Sequence, residues 1–156
     1  LDFGRILTDG QCFDQVQIGE SVVQKRIVEL RDVLGYLGIA GDFNPLYLTE
    51  NYAGQTPFER VIVPPGLLVG WLTALVSTRL PGPGSVVREM KVNMPGVAHL
   101  DEEMELYLQV AGKIETEKRI IIEASARRGE KVILNCEFSV VPPEPLKPLQ
   151  GLLDNF

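Results

Sequence analysis

At 156 residues, with 45% apolar and 23% charged side chains, the chain is long enough to close one domain over a sizeable core. It is too evenly mixed for the disordered or fibrous classes. Its 21 acidic residues outnumber 15 basic ones, a formal charge of −6 with no cationic stripe, which argues against nucleic acid or an anionic membrane surface as the main partner. That balance still leaves room for a local basic pocket.

Cys12 and Cys136 lie far apart and share no ligand spacing with the single histidine, His99. Neither a disulfide framework nor a metal site is expected; buried, reduced thiols are the better reading and fit a cytoplasmic setting. The longest apolar stretch, Val61 to Val76, is interrupted by Pro64, Pro65, Gly66 and Gly70. It falls short of the ~20 residues a bilayer span requires. The first residues, Leu1-Asp2-Phe3, carry no signal-peptide pattern.

In chain order, Ser21 to Glu29 predicts a strand from its β-branched residues and weak alternation. Asp32 to Ala40 predicts a short helix with Val33, Tyr36 and Leu37 on one stripe. Gly35 and Gly38 each weaken it by about 1 kcal/mol relative to Ala, so packing must hold it. The helix stops at Gly41, and Asp42-Phe43-Asn44-Pro45 supplies turn chemistry. After Pro64-Pro65 the run Gly66 to Val76 is apolar on every face, the pattern of a central helix surrounded by protein. Pro81-Gly82-Pro83-Gly84 ends it. Val86 to Met94 reads as a strand. Met104, Leu106, Leu108 and Val110 alternate with polar neighbours, as do Ile120, Ile122, Ala124 and Ala126. Arg128-Gly129 marks a tight reversal into Val132, Leu134, Cys136, Phe138 and Val140. Together these predict an α+β layer in which a curved antiparallel sheet wraps one apolar helix. A single domain over 1–141 is expected, with a proline-rich tail over 142–156.

The segment Ala40-Gly41-Asp42-Phe43-Asn44-Pro45-Leu46-Tyr47, with Ala53 further on, resembles the signature of the MaoC-like (R)-specific enoyl-CoA hydratases and dehydratases, G-D-x-N-P-[apolar]-H followed by a short helix. Upstream, Asp32 and Tyr36 suit the acidic and aromatic positions of that family's preceding helix. Downstream, Val61-Ile62-Val63-Pro64-Pro65-Gly66-Leu67-Leu68 resembles its I-x-H-G-x-L helix entry. The resemblance covers about Asp14 to Val141 and implies a hot-dog fold. It also implies addition of water across a trans-2-enoyl thioester of CoA or acyl carrier protein, with no cofactor or metal. In that mechanism an Asp and a His hold the water: one takes its proton while the other protonates the α-carbon. Amides at the start of the central helix polarise the thioester carbonyl, a role that suits a helix N-terminus.

Carried over by position, Asp42 matches the catalytic Asp, Asn44 the loop-bracing Asn and Pro45 the turn proline. Gly66 becomes the carbonyl donor, and Asn44, Pro45 and Leu67 become substrate contacts. Tyr47 stands where the catalytic His belongs. With a reference pKa of ~10 against ~6.5, a tyrosine is a hydrogen-bond donor at neutral pH and a poor base. Pro65 also replaces a residue that is His in many relatives, removing a polar group and a backbone donor.

The plainer readings are a stable turn at Asp42 to Pro45 and a packed tyrosine at 47. They extend to a solvated loop histidine at 99, a core Trp71 and a solvated strand entrance at Asp101-Glu102-Glu103. Three functions compete: a hydratase using Asp42 and Tyr47, a silent partner subunit working beside an active relative in a heterodimer, and a hot-dog thioesterase. The resemblance also implies a homodimer or higher assembly built by edge-to-edge sheet pairing, since an open sheet edge otherwise invites association.

Overall fold

The computed structural model describes residues 9–145. β1 (Ser21–Ile27) leads into α1 (Leu30–Ala40), two one-turn helices, α2 (Pro45–Leu48) and α3 (Glu50–Ala53), and the long α4 (Pro65–Thr78). Four strands follow: β2 (Val86–Asn93), β3 (Glu103–Ile114), β4 (Arg119–Arg128) and β5 (Lys131–Val141). All pair antiparallel in the order β1-β3-β4-β5-β2.

The period-two pattern of the sequence sets the sheet's inner face. Leu106 opposes Ala126, which opposes Leu134; Leu108, Ala124 and Cys136 form the next rung, and Val110, Ile122 and Phe138 the third. All nine are buried. A slip of one residue would turn the whole set outward, so burial of this face fixes the register. α4 lies on it, packed against β3, β4 and β5 through Leu67, Leu68, Trp71, Leu72, Leu75 and Val76. This is the wrapped α+β arrangement expected from the sequence.

Three expectations need correction. α4 is not enclosed on all sides within one chain: Gly70, Ala74 and Ser77 are exposed. The sheet reaches round one side of the helix only, and the side left open carries small residues rather than charged ones, so no polar stripe betrays it. The acidic entrance to β3 is not simply solvated either. Glu102 accepts the backbone N–H of His99 at 2.6 Å, and Nη1 of Arg128 reaches both its oxygens at 3.1 and 3.0 Å. His99, expected in solvent, is half-buried, and its Nδ1 donates to the Val61 carbonyl at 2.8 Å. Arg128 meets Glu102 through the β3–β4 ladder, a proximity that linear spacing does not reveal.

The two sheet edges differ. Met90 and Val92 of β2 share the inner face with Phe138 and Cys136 across the ladder, yet they are 46% and 36% exposed, because α4 sits over the other strands. Trp71 is core, as expected, with the Arg26 guanidinium stacked 3.9 Å from its ring centre. β5 ends at Val141; Pro142 is buried and Pro143 lies against Gly10 and Gly84, while tail residues 146–156 fall outside the described residues. Among the described residues no helix is long and apolar enough to cross a membrane, and no group of three His, Cys, Asp or Glu side chains could hold a metal ion.

Cys136 is 5% exposed, and burial pushes its thiol up from 9.0 to about 11. Its sulfur should therefore resist alkylation at pH 8, while the half-exposed Cys12 reacts. Between about pH 9 and about pH 11 the unfolded thiol ionises while the folded one stays protonated. Stability should then fall as pH rises through that window, and the Cys136→Ala variant should show a shallower fall in thermal midpoint.

Candidate active site

α1 delivers the first part of the site. The Glu29 N–H donates to the Asp32 carboxylate at 3.0 Å, closing the helix start, and Val33 and Leu37 are buried against the core. Gly41 ends the helix at φ 66°, a left-handed conformation that glycine adopts without the Cβ penalty. Its N–H and that of Asp42 both return to the Leu37 carbonyl. The chain turns sharply there, and Asp42 emerges half-buried.

From Asp42 each side chain braces the next backbone unit. Oδ1 of Asp42 accepts the Asn44 N–H at 3.1 Å, and Oδ1 of Asn44 accepts the Leu46 N–H at 3.1 Å, capping α2. Pro45 occupies the first helical position and is exposed. These bonds engage one oxygen of Asp42; the other makes no hydrogen bond to the protein among the described residues. Tyr47 follows on α2, half-buried against the core, with the Asn44 amide beside its hydroxyl. Burial raises its pKa above 10.0, reinforced by the neighbouring charges of Asp42 and Tyr36 and only partly offset by Asn44. Tyr47 is therefore held as a neutral phenol.

The strap after α3 brings the start of α4 to this loop. The Ile62 N–H donates to the Leu46 carbonyl at 3.0 Å, the Val61 N–H to the Glu50 carboxylate at 3.3 Å, and the Val63 N–H to the Ala98 carbonyl at 2.7 Å. At the helix start the Tyr36 ring lies directly over Gly66: a Cβ built there would overlap the Tyr36 hydroxyl. The structure thus assembles Asp42, Asn44 and Tyr47 on one loop, with Tyr36 between that loop and Gly66. Leu67 follows Gly66 on α4. Its side chain is buried in the core and its N–H bonds the Pro64 carbonyl at 3.1 Å.

No family model matches the chain. It is 30% identical over 132 residues to the 3-hydroxybutyryl-CoA dehydratase of Methylorubrum extorquens, covering 85% of this chain and 84% of that one. The chain belongs to the MaoC-like hydratase and dehydratase family. Within the same family, the (R)-specific enoyl-CoA hydratase of Rhodospirillum rubrum is 24% identical over 84% of this chain and 91% of its own. The unliganded R-hydratase of Pseudomonas aeruginosa superposes with a TM-score of 0.81 at 22% identity, covering 87% of this chain and 88% of that one. This likeness establishes the hot-dog fold.

Tyr36, which the sequence places on a packing stripe and matches to the family's aromatic position, was not assigned to the site. Two features pointed to it: an aromatic on the inner stripe of α1, and a glycine at the start of α4 where any side chain would collide with an incoming ring.

Proposed function

We propose that the chain catalyses (R)-specific hydration of trans-2-enoyl thioesters and the reverse dehydration of 3-hydroxyacyl thioesters. Asp42 is the base and Tyr47 the proton donor. One observation carries this reading: Asp42 keeps a carboxylate oxygen unengaged beside a phenol held neutral, on a loop tied to the start of α4. In the hydration direction, water oxygen bonds to the β-carbon as Asp42 takes its proton. The Tyr47 hydroxyl protonates the α-carbon, and Asp42 returns its proton to the phenolate. The Gly66 N–H, at the positive end of α4, faces the thioester carbonyl where enolate charge develops. Asn44 and Pro45 brace the loop that carries Asp42 and Tyr47.

A second reading has support in Tyr47 itself. Its raised pKa makes it a reluctant acid and no base at neutral pH, as suits a silent subunit that binds thioester beside an active relative. Crotonyl-CoA, with loss of enoyl thioester absorbance and chiral analysis of the product, separates the two. Turnover to the (R)-hydroxy thioester supports the hydratase. Binding without turnover, with activity gained in Tyr47→His, supports the silent subunit.

The uncovered inner-face residues of β2 make that edge, rather than β1, the seam for a second copy of the chain. Sedimentation should read a dimer that Val92→Lys weakens; a wild-type monomer at micromolar concentration contradicts this seam.

A further inference from the structure

We infer that the Tyr36 hydroxyl is the second hydrogen-bond donor to the thioester carbonyl, completing with the Gly66 amide an oxyanion hole. This rests on the hydratase reading above.

The start of α4 is poor in donors. Helix N-termini ordinarily leave several N–H groups without intrahelical partners. Here Pro64 and Pro65 have none to offer, and the Leu67 N–H is taken by the Pro64 carbonyl. Of residues 64–67, Gly66 alone retains an amide that the helix cannot use. One neutral donor is a weak host for an enolate oxygen, and the usual arrangement supplies two or more.

Tyr36 fills that deficit from another element. Its Cζ lies 2.6 Å from the position a Gly66 Cβ would take, and its hydroxyl is nearer still, so the phenol oxygen sits over the Gly66 backbone. The ring is half-buried and packed on the core, which fixes its direction. Among the described residues the hydroxyl has no hydrogen-bond partner, and it is not walled off from solvent, so an acceptor entering the site can reach it. A group held rigidly at the site's helix end, with its donor unspent, is preorganised for a ligand acceptor. A phenolic O–H to an oxyanion forms a shorter and stronger bond than an amide N–H to a neutral oxygen. The same contact explains why residue 66 is glycine: any Cβ would evict the ring. Tyr36 acts only as a hydrogen-bond donor to the charge that builds as water adds at the β-carbon. Proton transfer stays with Asp42 and Tyr47.

Tyr36→Phe tests this, since it removes one hydroxyl without a protein partner and should leave the thermal midpoint unchanged. With crotonyl-CoA, kcat should fall about 10²–10³-fold, the cost of losing one oxyanion donor, while KM moves little. The second readout is spectroscopic, in an Asp42→Asn background that blocks turnover. Sorboyl-CoA, a conjugated dienoyl thioester, should show a red-shifted absorbance when bound, from carbonyl polarisation, and the shift should shrink when Tyr36→Phe is added. Unchanged kcat, or a fall in kcat with an undiminished red shift, overturns the inference and leaves the hydratase reading standing. If the wild-type chain neither turns over nor binds any enoyl thioester, both fall together.

Discussion

Asp42→Asn should lower hydration of crotonyl-CoA by about 10²–10⁴-fold, the usual contribution of a positioned base. This corresponds to about 3–5 kcal/mol of transition-state stabilisation. The substitution keeps the shape of the side chain, and an amide oxygen can still accept the Asn44 N–H that Asp42 Oδ1 now receives at 3.1 Å. The turn after Gly41 and the cap of α2 should therefore survive, and the thermal midpoint should move little. What is lost is the capacity of the unengaged oxygen to take a proton from water. The deficit should appear in kcat with KM nearly constant, because the group acts in the transition state and not in binding. A large drop in thermal midpoint alongside the lost activity would mean that Asp42 serves the turn and not the chemistry.

Leu72→Ala should destabilise the fold by roughly 2–5 kcal/mol, the range for deleting a fully buried leucine side chain. Leu72 has no exposed surface and lies mid-helix on the face of α4 that meets the sheet. Its loss leaves a cavity that a sheet pinned on both sides by antiparallel ladders cannot easily close. In a domain of this size each kcal/mol shifts the thermal midpoint by about 2–4 °C, so the effect is well within reach of calorimetry. Ser77→Ala, on the open face of the same helix, should stay within about 0.5 kcal/mol of wild type. Equal effects at the two positions would show that α4 is covered on all sides.

The strands were legible because burial on one face leaves a period-two record: Met104 to Val110 and Leu134 to Val140 alternate cleanly and lie on the inner face. α4 was legible in place and length from its flanking prolines. Its open side was not, since glycine, alanine and serine there resemble core as much as surface. In the candidate site, Asp42, Asn44 and Tyr47 could be read from one short segment because their bracing is local: each bond spans two residues. Contacts across the fold left no such trace. Tyr36 and Gly66 are 30 positions apart, and their overlap follows from the packing of α1 on α4, which periodicity does not encode. The Glu102–Arg128 pair escaped for the same reason: its geometry is set by the β3–β4 register.

A crystal structure of the Asp42→Asn protein with crotonyl-CoA bound tests the assignment of the site most directly. The thioester oxygen should lie about 2.7–3.1 Å from the Gly66 nitrogen, with the β-carbon facing residues 42 and 47. A thioester seated away from the first turn of α4, for instance on the outer face of the sheet near Tyr107 and Arg127, would contradict it.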